Sequence, residues 1–130
     1  MIENIKGFLF DLDGVLCIDD KPIHDSVELI NTLQSIQIPF RILTNYTTLS
    51  RRNLYDKLTS LGFNVSKDHI ISAAYAGVLR LRKLNNPKCQ FILNDNVIED
   101  YNEFILDSIS PEYIIIGDLD DKWSFEIIND

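Results

Sequence analysis

Cysteine is scarce in this chain: Cys17 and Cys89 are the only two among 130 residues, and they follow neither metal-ligand nor redox spacing. A disulfide framework is excluded, and both thiols are expected reduced and partly buried. Long hydrophobic runs are also missing, since stretches such as Tyr113 to Ile116 are far too short to span a bilayer, and the opening MIENIKG has neither a basic flank nor a cleavage site. A cytosolic location follows as the expectation. Cationic residues are outnumbered, twelve Lys and Arg against twenty Asp and Glu, for a net charge of −8. Such a chain repels a phosphate backbone and an anionic membrane, so neither nucleic acid nor a membrane is expected as a partner. The two histidines, His24 and His69, stand alone without a partner at ligand spacing. No low-complexity linker and no repeat beyond a strand-helix unit occur.

What is present is an ordinary globular balance, 45% hydrophobic and 25% charged, in a length that suits one domain or two very small ones. The acid is uneven. Residues 94–130 carry eleven carboxylates and one cation, Lys122, for −10, which leaves the first 93 residues at +2.

Short β-rich runs alternate with helical periodicity. Phe8–Asp11, Phe40–Thr44, His69–Ser72, Gln90–Leu93 and Tyr113–Ile116 are the strand candidates. Asp25 with Glu28 spells a capping box ahead of Val27, Ile30 and Leu33, and Leu54, Leu58 and Leu61 form a stripe closed by Gly62. Ala74, Val78 and Leu81 repeat the pattern. Asn96 with Glu99 spells a second box before Ile98, Tyr101 and Ile105, which Pro111 ends. Asp121 or Ser124 starts a last short helix through Phe125, Ile127 and Ile128, and Trp123 and Phe125 are expected to bury an apolar face. Alternating strands and helices predict an α/β fold built on a parallel sheet. The plausible boundary lies near Ala73.

The sharpest chemical feature is Phe8-Leu9-Phe10-Asp11-Leu12-Asp13-Gly14, an apolar strand that delivers two carboxylates at its carboxyl end and turns at a glycine. Ligands in open α/β sheets bind at that end. A hard cation such as Mg²⁺ takes carboxylate and carbonyl oxygens, and an ionised carboxylate beside it is a nucleophile toward phosphorus, with the second aspartate as proton donor. Turn and capping duty is the competing reading for both residues. A second strand, Arg41-Ile42-Leu43, ends in Thr44 and Asn45, a hydroxyl and an amide able to donate to a phosphoryl oxygen or simply to cap a helix. Arg51 and Arg52 follow, either as a solvated helix face or as a greeting for a substrate anion.

FDLDGVL followed by ILTN resembles the first two motifs of the haloacid dehalogenase superfamily of phosphotransferring hydrolases. The segments SRRNLYDKLTSLGFNVSKDHIISAA and PEYIIIGDLDDKWSFEIIND are similar to its subclass IIA, in the branch that contains phospholysine phosphohistidine inorganic pyrophosphate phosphatase. The resemblance runs from about Ile5 to Asp130. It implies a Rossmann-like core with an incomplete parallel sheet over residues 1–72 and part of a C2-type α/β cap over residues 73–130. By it, Asp11 is the nucleophile and Asp13 the general acid/base. Thr44 and Asn45 hold the phosphoryl group, and Mg²⁺ is bound by Asp11 and by the backbone carbonyl of Asp13. The substrate implied is a small phosphorylated compound. The family's third-motif lysine and fourth-motif acids follow the cap, in a segment this sequence does not contain, so a truncated chain with impaired activity is expected. Asp118, Asp120 and Asp121 fall in the cap by the same resemblance and do not replace them.

Two other readings share these residues: a noncatalytic remnant that binds a cation or a partner, and a single flavodoxin-like, receiver-like phosphoacceptor domain over residues 1–130. Receivers, as a family, take phosphate on an aspartate after the third strand and use a lysine after the fifth, whereas here those strands end in Ser72 and Gly117. By the resemblance strand Phe8–Asp11 is central in the complete fold and one of its edges is bare here, so self-association is expected, as a homodimer through that edge or as aggregation, unless Gln90–Leu93 or Tyr113–Ile116 moves in beside it.

Overall fold

The computed structural model describes residues 4–129; the side chain of Ile128 and residues 1–3 and 130 lie outside that description. The chain falls into two compact units, Met1–Asn45 with Arg51–Ala73, and Tyr46–Ser50 with Ala74–Asp130.

In the first unit the chain runs through β1 (Phe8–Asp11), the two-residue strands β2 (Cys17–Ile18) and β3 (Lys21–Pro22), α1 (Ser26–Ser35), β4 (Phe40–Thr44), α2 (Arg51–Ser60) and β5 (Ile70–Ser72). Strands β1, β4 and β5 form a parallel sheet in that order, with Phe10 level with Ile42 and Ile42 level with Ile70. The period-two pattern fixes which face turns inward: Phe40, Ile42 and Thr44 are buried while Arg41 and Leu43 are exposed. Ile30 and Leu33 of α1 and Leu54 and Leu58 of α2 are buried with them. Gly62, at φ +94, closes the Leu54–Leu58 stripe where a side chain would strain the backbone. Asn31 clamps that turn from α1, its amide donating to the Gly62 carbonyl at 3.1 Å and accepting from the Asn64 N–H at 2.6 Å.

The second unit holds α3 (Ala73–Lys83), β6 (Cys89–Ile92), β7 (Tyr113–Ile116) and α4 (Phe125–Asn129). Strands β6 and β7 pair in parallel. Ala74, Val78 and Leu81 of α3 share one core with Cys89, Leu93, Val97, Tyr101 and Phe104. The Tyr101 hydroxyl donates to the Ala74 carbonyl at 2.6 Å, and Gly77 leaves the room it needs. Among the described residues the five longer strands therefore fall into two sheets rather than one.

All five strand candidates are strands, with Gln90–Leu93 shifted back by one residue to Cys89–Ile92 and His69–Ser72 one residue shorter at its start. The helix signals fare unevenly. The box read from Asp25 and Glu28 does not form, because Asp25 sits in the left-handed region at φ 64 without a side-chain cap and its carboxylate lies 2.9 Å from His24 Nδ1. Ser26 anchors the helix start instead, its hydroxyl donating to the carbonyls of Leu16 and Ile23. The box read from Asn96 and Glu99 fails too: Glu99 accepts the Ser50 hydroxyl, and only a single 3₁₀ turn, Ile98–Tyr101, follows. Ile105 is exposed rather than part of a buried stripe. At the C-terminal end the Ser124 hydroxyl takes the Ile127 N–H, as a cap should, but Phe125 is 76% exposed and Trp123 40%, so neither buries the expected face.

Candidate active site

Strand β1 carries its apolar residues up to Asp11, and the chain then folds back at once. The buried Leu12 carbonyl accepts the N–H groups of Leu16 and Cys17 at 2.9 and 3.0 Å, and the Gly14 N–H donates to the Cys17 carbonyl at 2.8 Å. Gly14 has φ +76, a conformation that L side chains rarely adopt. With Leu12 and Leu16 driven into the core, Asp11 and Asp13 on either side of Leu12 are left exposed. One Asp11 carboxylate oxygen is fixed by the Leu12 N–H at 2.8 Å.

Asp11 is level with Leu43 across the β1–β4 pair, so Thr44 and Asn45 lie one and two residues further toward the same carboxyl edge. Thr44 is buried and Asn45 exposed. The four residues singled out by sequence therefore all leave one edge of the sheet on adjacent strands. A fifth polar group was missed: Ser72, fully buried at the end of β5, is level with Thr44. The signal was present, since the third strand ends in a hydroxyl just as the second does.

Below the turn, Cys17 is buried, and burial pushes its thiol up; Lys57 opposes that shift, while Asp13 and Asp20 add to it. Lys57 itself pairs with Asp20 at the tip of the β2–β3 hairpin. Arg51 is not available to a substrate anion: its guanidinium donates to the Lys67 carbonyl at 2.7 Å and to Asp68 at 2.6 Å. Arg52 lies 3.9 Å from Asp56 on an open helix face.

The segment that follows Asn45 belongs to the second unit. There the Ala74 N–H donates to the Tyr46 carbonyl at 3.3 Å, the Asp118 N–H to the Thr47 hydroxyl at 3.2 Å and the Ser50 N–H to the Asn96 carbonyl at 3.1 Å. The carboxylates of that unit have structural work. Asp118 accepts the Asp120 N–H, Asp120 accepts the Asn94 side-chain amide at 2.9 Å, and Asp95 pairs with Lys122 at 2.7 Å.

For a divalent cation, the Asp11 and Asp13 side chains and the adjoining carbonyls are hard oxygen donors of the kind Mg²⁺ prefers. Among the described residues no group of three or more His, Cys, Asp or Glu side chains converges on one point. The set therefore fits a cation that keeps most of its own water.

Residues 8–104 match the family model of haloacid dehalogenase-like hydrolases. The chain belongs to that family. Among its curated relatives, the zebrafish (Danio rerio) phospholysine phosphohistidine inorganic pyrophosphate phosphatase is 30% identical over 133 residues, which covers 99% of this chain and 48% of the relative. Phosphoglycolate phosphatase 1A of Arabidopsis thaliana is 32% identical over 68% of this chain and 24% of the relative. Of the solved structures, the p-nitrophenyl phosphatase of Archaeoglobus fulgidus is 30% identical with a TM-score of 0.84, covering 95% of this chain and 49% of that one. The Escherichia coli K-12 NagD protein, at 21% identity and a TM-score of 0.85 over 96% of this chain and 50% of that one, shares the fold. The parallel-sheet α/β class is thus established. The chain spans about half the length of the zebrafish relative, and no described helix is long and apolar enough to cross a membrane.

Proposed function

We propose that this haloacid dehalogenase-like chain carries the nucleophile half of a phosphatase site acting on a small phosphorylated compound. The observation that carries the reading is the placement of Asp11, Asp13, Thr44 and Asn45 at one carboxyl edge of the sheet, within the segment that the family model matches. Phosphatase names among the relatives support it.

In this reading residues 1–72 are the first part of the core and residues 73–130 part of a C2-type cap. An Asp11 carboxylate oxygen attacks phosphorus and the bond to the leaving oxygen breaks, giving an aspartyl-phosphate, while Asp13 supplies the proton that the leaving oxygen takes. Water then attacks the phosphorus of that intermediate, gives its proton back to Asp13 and releases orthophosphate. The Leu12 N–H holds the Asp11 carboxylate in one rotamer. Thr44 and Asn45 donate to the phosphoryl oxygens. The Asp11 side chain and the Asp13 carbonyl would hold a Mg²⁺ ion, which would neutralise charge between two anions that otherwise repel.

The test is hydrolysis of para-nitrophenyl phosphate by the chain and by Asp11→Asn, each purified free of contaminating phosphatases. Turnover by the parent that vanishes in the variant is the expected result, and equal rates in both overturn the assignment of the nucleophile.

A second reading, binding without turnover, draws on the donor set: among the described residues no third acidic, His or Cys side chain joins Asp11 and Asp13, which leaves a cation weakly held and a phosphate poorly neutralised. Millimolar Mg²⁺ is expected to shift the backbone amide resonances of Leu12, Asp13 and Gly14. Asp11→Asn should remove most of the shift. Sub-micromolar affinity would reveal ligands beyond these two residues.

A further inference from the structure

The inward face of the β1, β4 and β5 sheet is apolar level by level until its carboxyl end. Phe8 is level with Phe40, and Phe10, Ile42 and Ile70 share the next level. Two residues further on, Thr44 of β4 is level with Ser72 of β5, and both are buried, at 8% and 1% exposure. Strand alternation puts both side chains on the inward face, on neighbouring strands about 4.8 Å apart, a separation that two short hydroxyl side chains bridge with a hydrogen bond. Burying a hydroxyl costs free energy unless it is hydrogen-bonded, and among the described residues no buried side-chain nitrogen or oxygen lacks a partner.

The two hydroxyls stand in different places. Ser72 directly precedes α3, which begins at Ala73, and a serine there uses its oxygen to accept a backbone N–H of the first helical turn. One hydrogen then remains for it to donate. Thr44 instead leads into the exposed Asn45, beside the strand end that carries Asp11. We propose that Ser72 is a positioning residue whose hydroxyl donates to the Thr44 oxygen, so that the hydrogen of Thr44 points out of the core toward an anion at the carboxyl edge. The inference rests on the reading that Thr44 and Asn45 hold the phosphoryl group, and it adds what sets the direction of the Thr44 donor. A hydroxyl has a single hydrogen and a free rotor. Turned inward to Ser72, it would present only lone pairs to the anion, and these repel it. Donation into the Thr44 oxygen removes that rotamer and polarises the O–H bond, which strengthens it as a donor. The competing duty for Ser72 is local, a helix cap or a bond to a nearby backbone carbonyl, and it would leave Thr44 unaffected.

A double-mutant cycle read by phosphate affinity separates the two duties. Inorganic phosphate is titrated into the chain in millimolar Mg²⁺, and the backbone amide resonances of Leu12, Thr44 and Asn45 are followed. Thr44→Val, which removes the hydroxyl at nearly equal volume, should weaken binding about tenfold or more, and Ser72→Ala about three- to tenfold. In the Thr44→Val background, Ser72→Ala should change the affinity by less than about twofold, because its effect passes through the hydroxyl already removed. A purely local role would lower urea midpoints and leave phosphate affinity where it was. Ser72→Ala that binds phosphate like the parent, while Thr44→Val binds it weakly, overturns this inference and leaves the phosphate reading standing. So does a loss from Ser72→Ala that is just as large in the Thr44→Val background. A parent that binds no phosphate, or Thr44→Val that binds as well as the parent, overturns both. If Ser72→Ala fails to fold, Ser72→Cys, similar in size and a weaker donor, takes its place in the cycle with the same expected direction.

Discussion

His69 shows how a residue without any chemistry in the sequence acquires a physical role. Its ring stacks on Phe40 with centroids 4.3 Å apart, and its Nδ1 accepts the Ser66 N–H at 2.9 Å, so the neutral form is the one that fits. Burial, and then the Arg41 charge, hold its pKa below the ordinary 6.5, with Asp68 opposing. The folded chain thus takes up this proton less readily than the unfolded one. The stability His69 contributes is complete above the unfolded value and is lost as pH falls from there through the lower folded value. Urea midpoints for the parent should therefore drop between about pH 7 and pH 5 more than those of His69→Leu, which has no such proton to take. Tyr101 is the second such residue. Burial pushes its phenol up to about 12, and its hydroxyl is donated to a carbonyl of α3. Tyr101→Phe leaves the Ala74 carbonyl without this donor and should cost about 1–3 kcal/mol in denaturant titrations.

At the scale of elements, α2 depends on two fully buried leucines and a glycine stop. Leu58→Ala opens a cavity in a core that cannot fully collapse and should cost about 2–5 kcal/mol. Gly62→Ala meets ordinary contact at Val27, so the positive φ alone should cost about 1 kcal/mol. Equal destabilisation by both substitutions would contradict this ranking, and thermal melts of the two variants check it. Two other helix starts show the limit of local patterns. Asp25 and Asn96 are both followed three residues later by glutamate, yet neither box closes. The backbone of Asp25 turns left-handed as the chain arrives from β3, and Glu99 finds a hydroxyl from a distant segment, Ser50. A capping box is decided by the backbone that approaches it, and that path is set elsewhere in the chain.

On the scale of the whole molecule, the −8 charge sets its behaviour toward polyanions. The chain should bind an anion exchanger at neutral pH and pass a heparin column at low salt; retention on heparin would reveal a local basic surface that the net charge hides. The acidic second half does not form a cation cage among its described residues, because Asp95, Asp107, Asp118 and Asp120 are engaged by Lys122, Lys88, backbone amides and Asn94. Asp107 is the clearest case, held down to about 2 by the Ser110 N–H, Lys88 and the Ile109 N–H.

The amino-acid sequence by itself determined the five longer strands, though not the two-residue β2 and β3, together with the helices α1, α2 and α3, the α/β class and the four polar residues at the strand ends. Each of these follows from periods of two or 3.6 residues, from glycine at a turn, or from two short motifs, all of which are local. Only the tertiary structure decided which strands pair. Pairing joined β1 to β4 and β4 to β5, and β6 to β7 in a sheet apart. It also decided that Arg51 belongs to Asp68 and that Ser72 stands level with Thr44. Those outcomes depend on register between segments about thirty residues apart, and register is set by the burial of whole faces rather than by any residue's own preference.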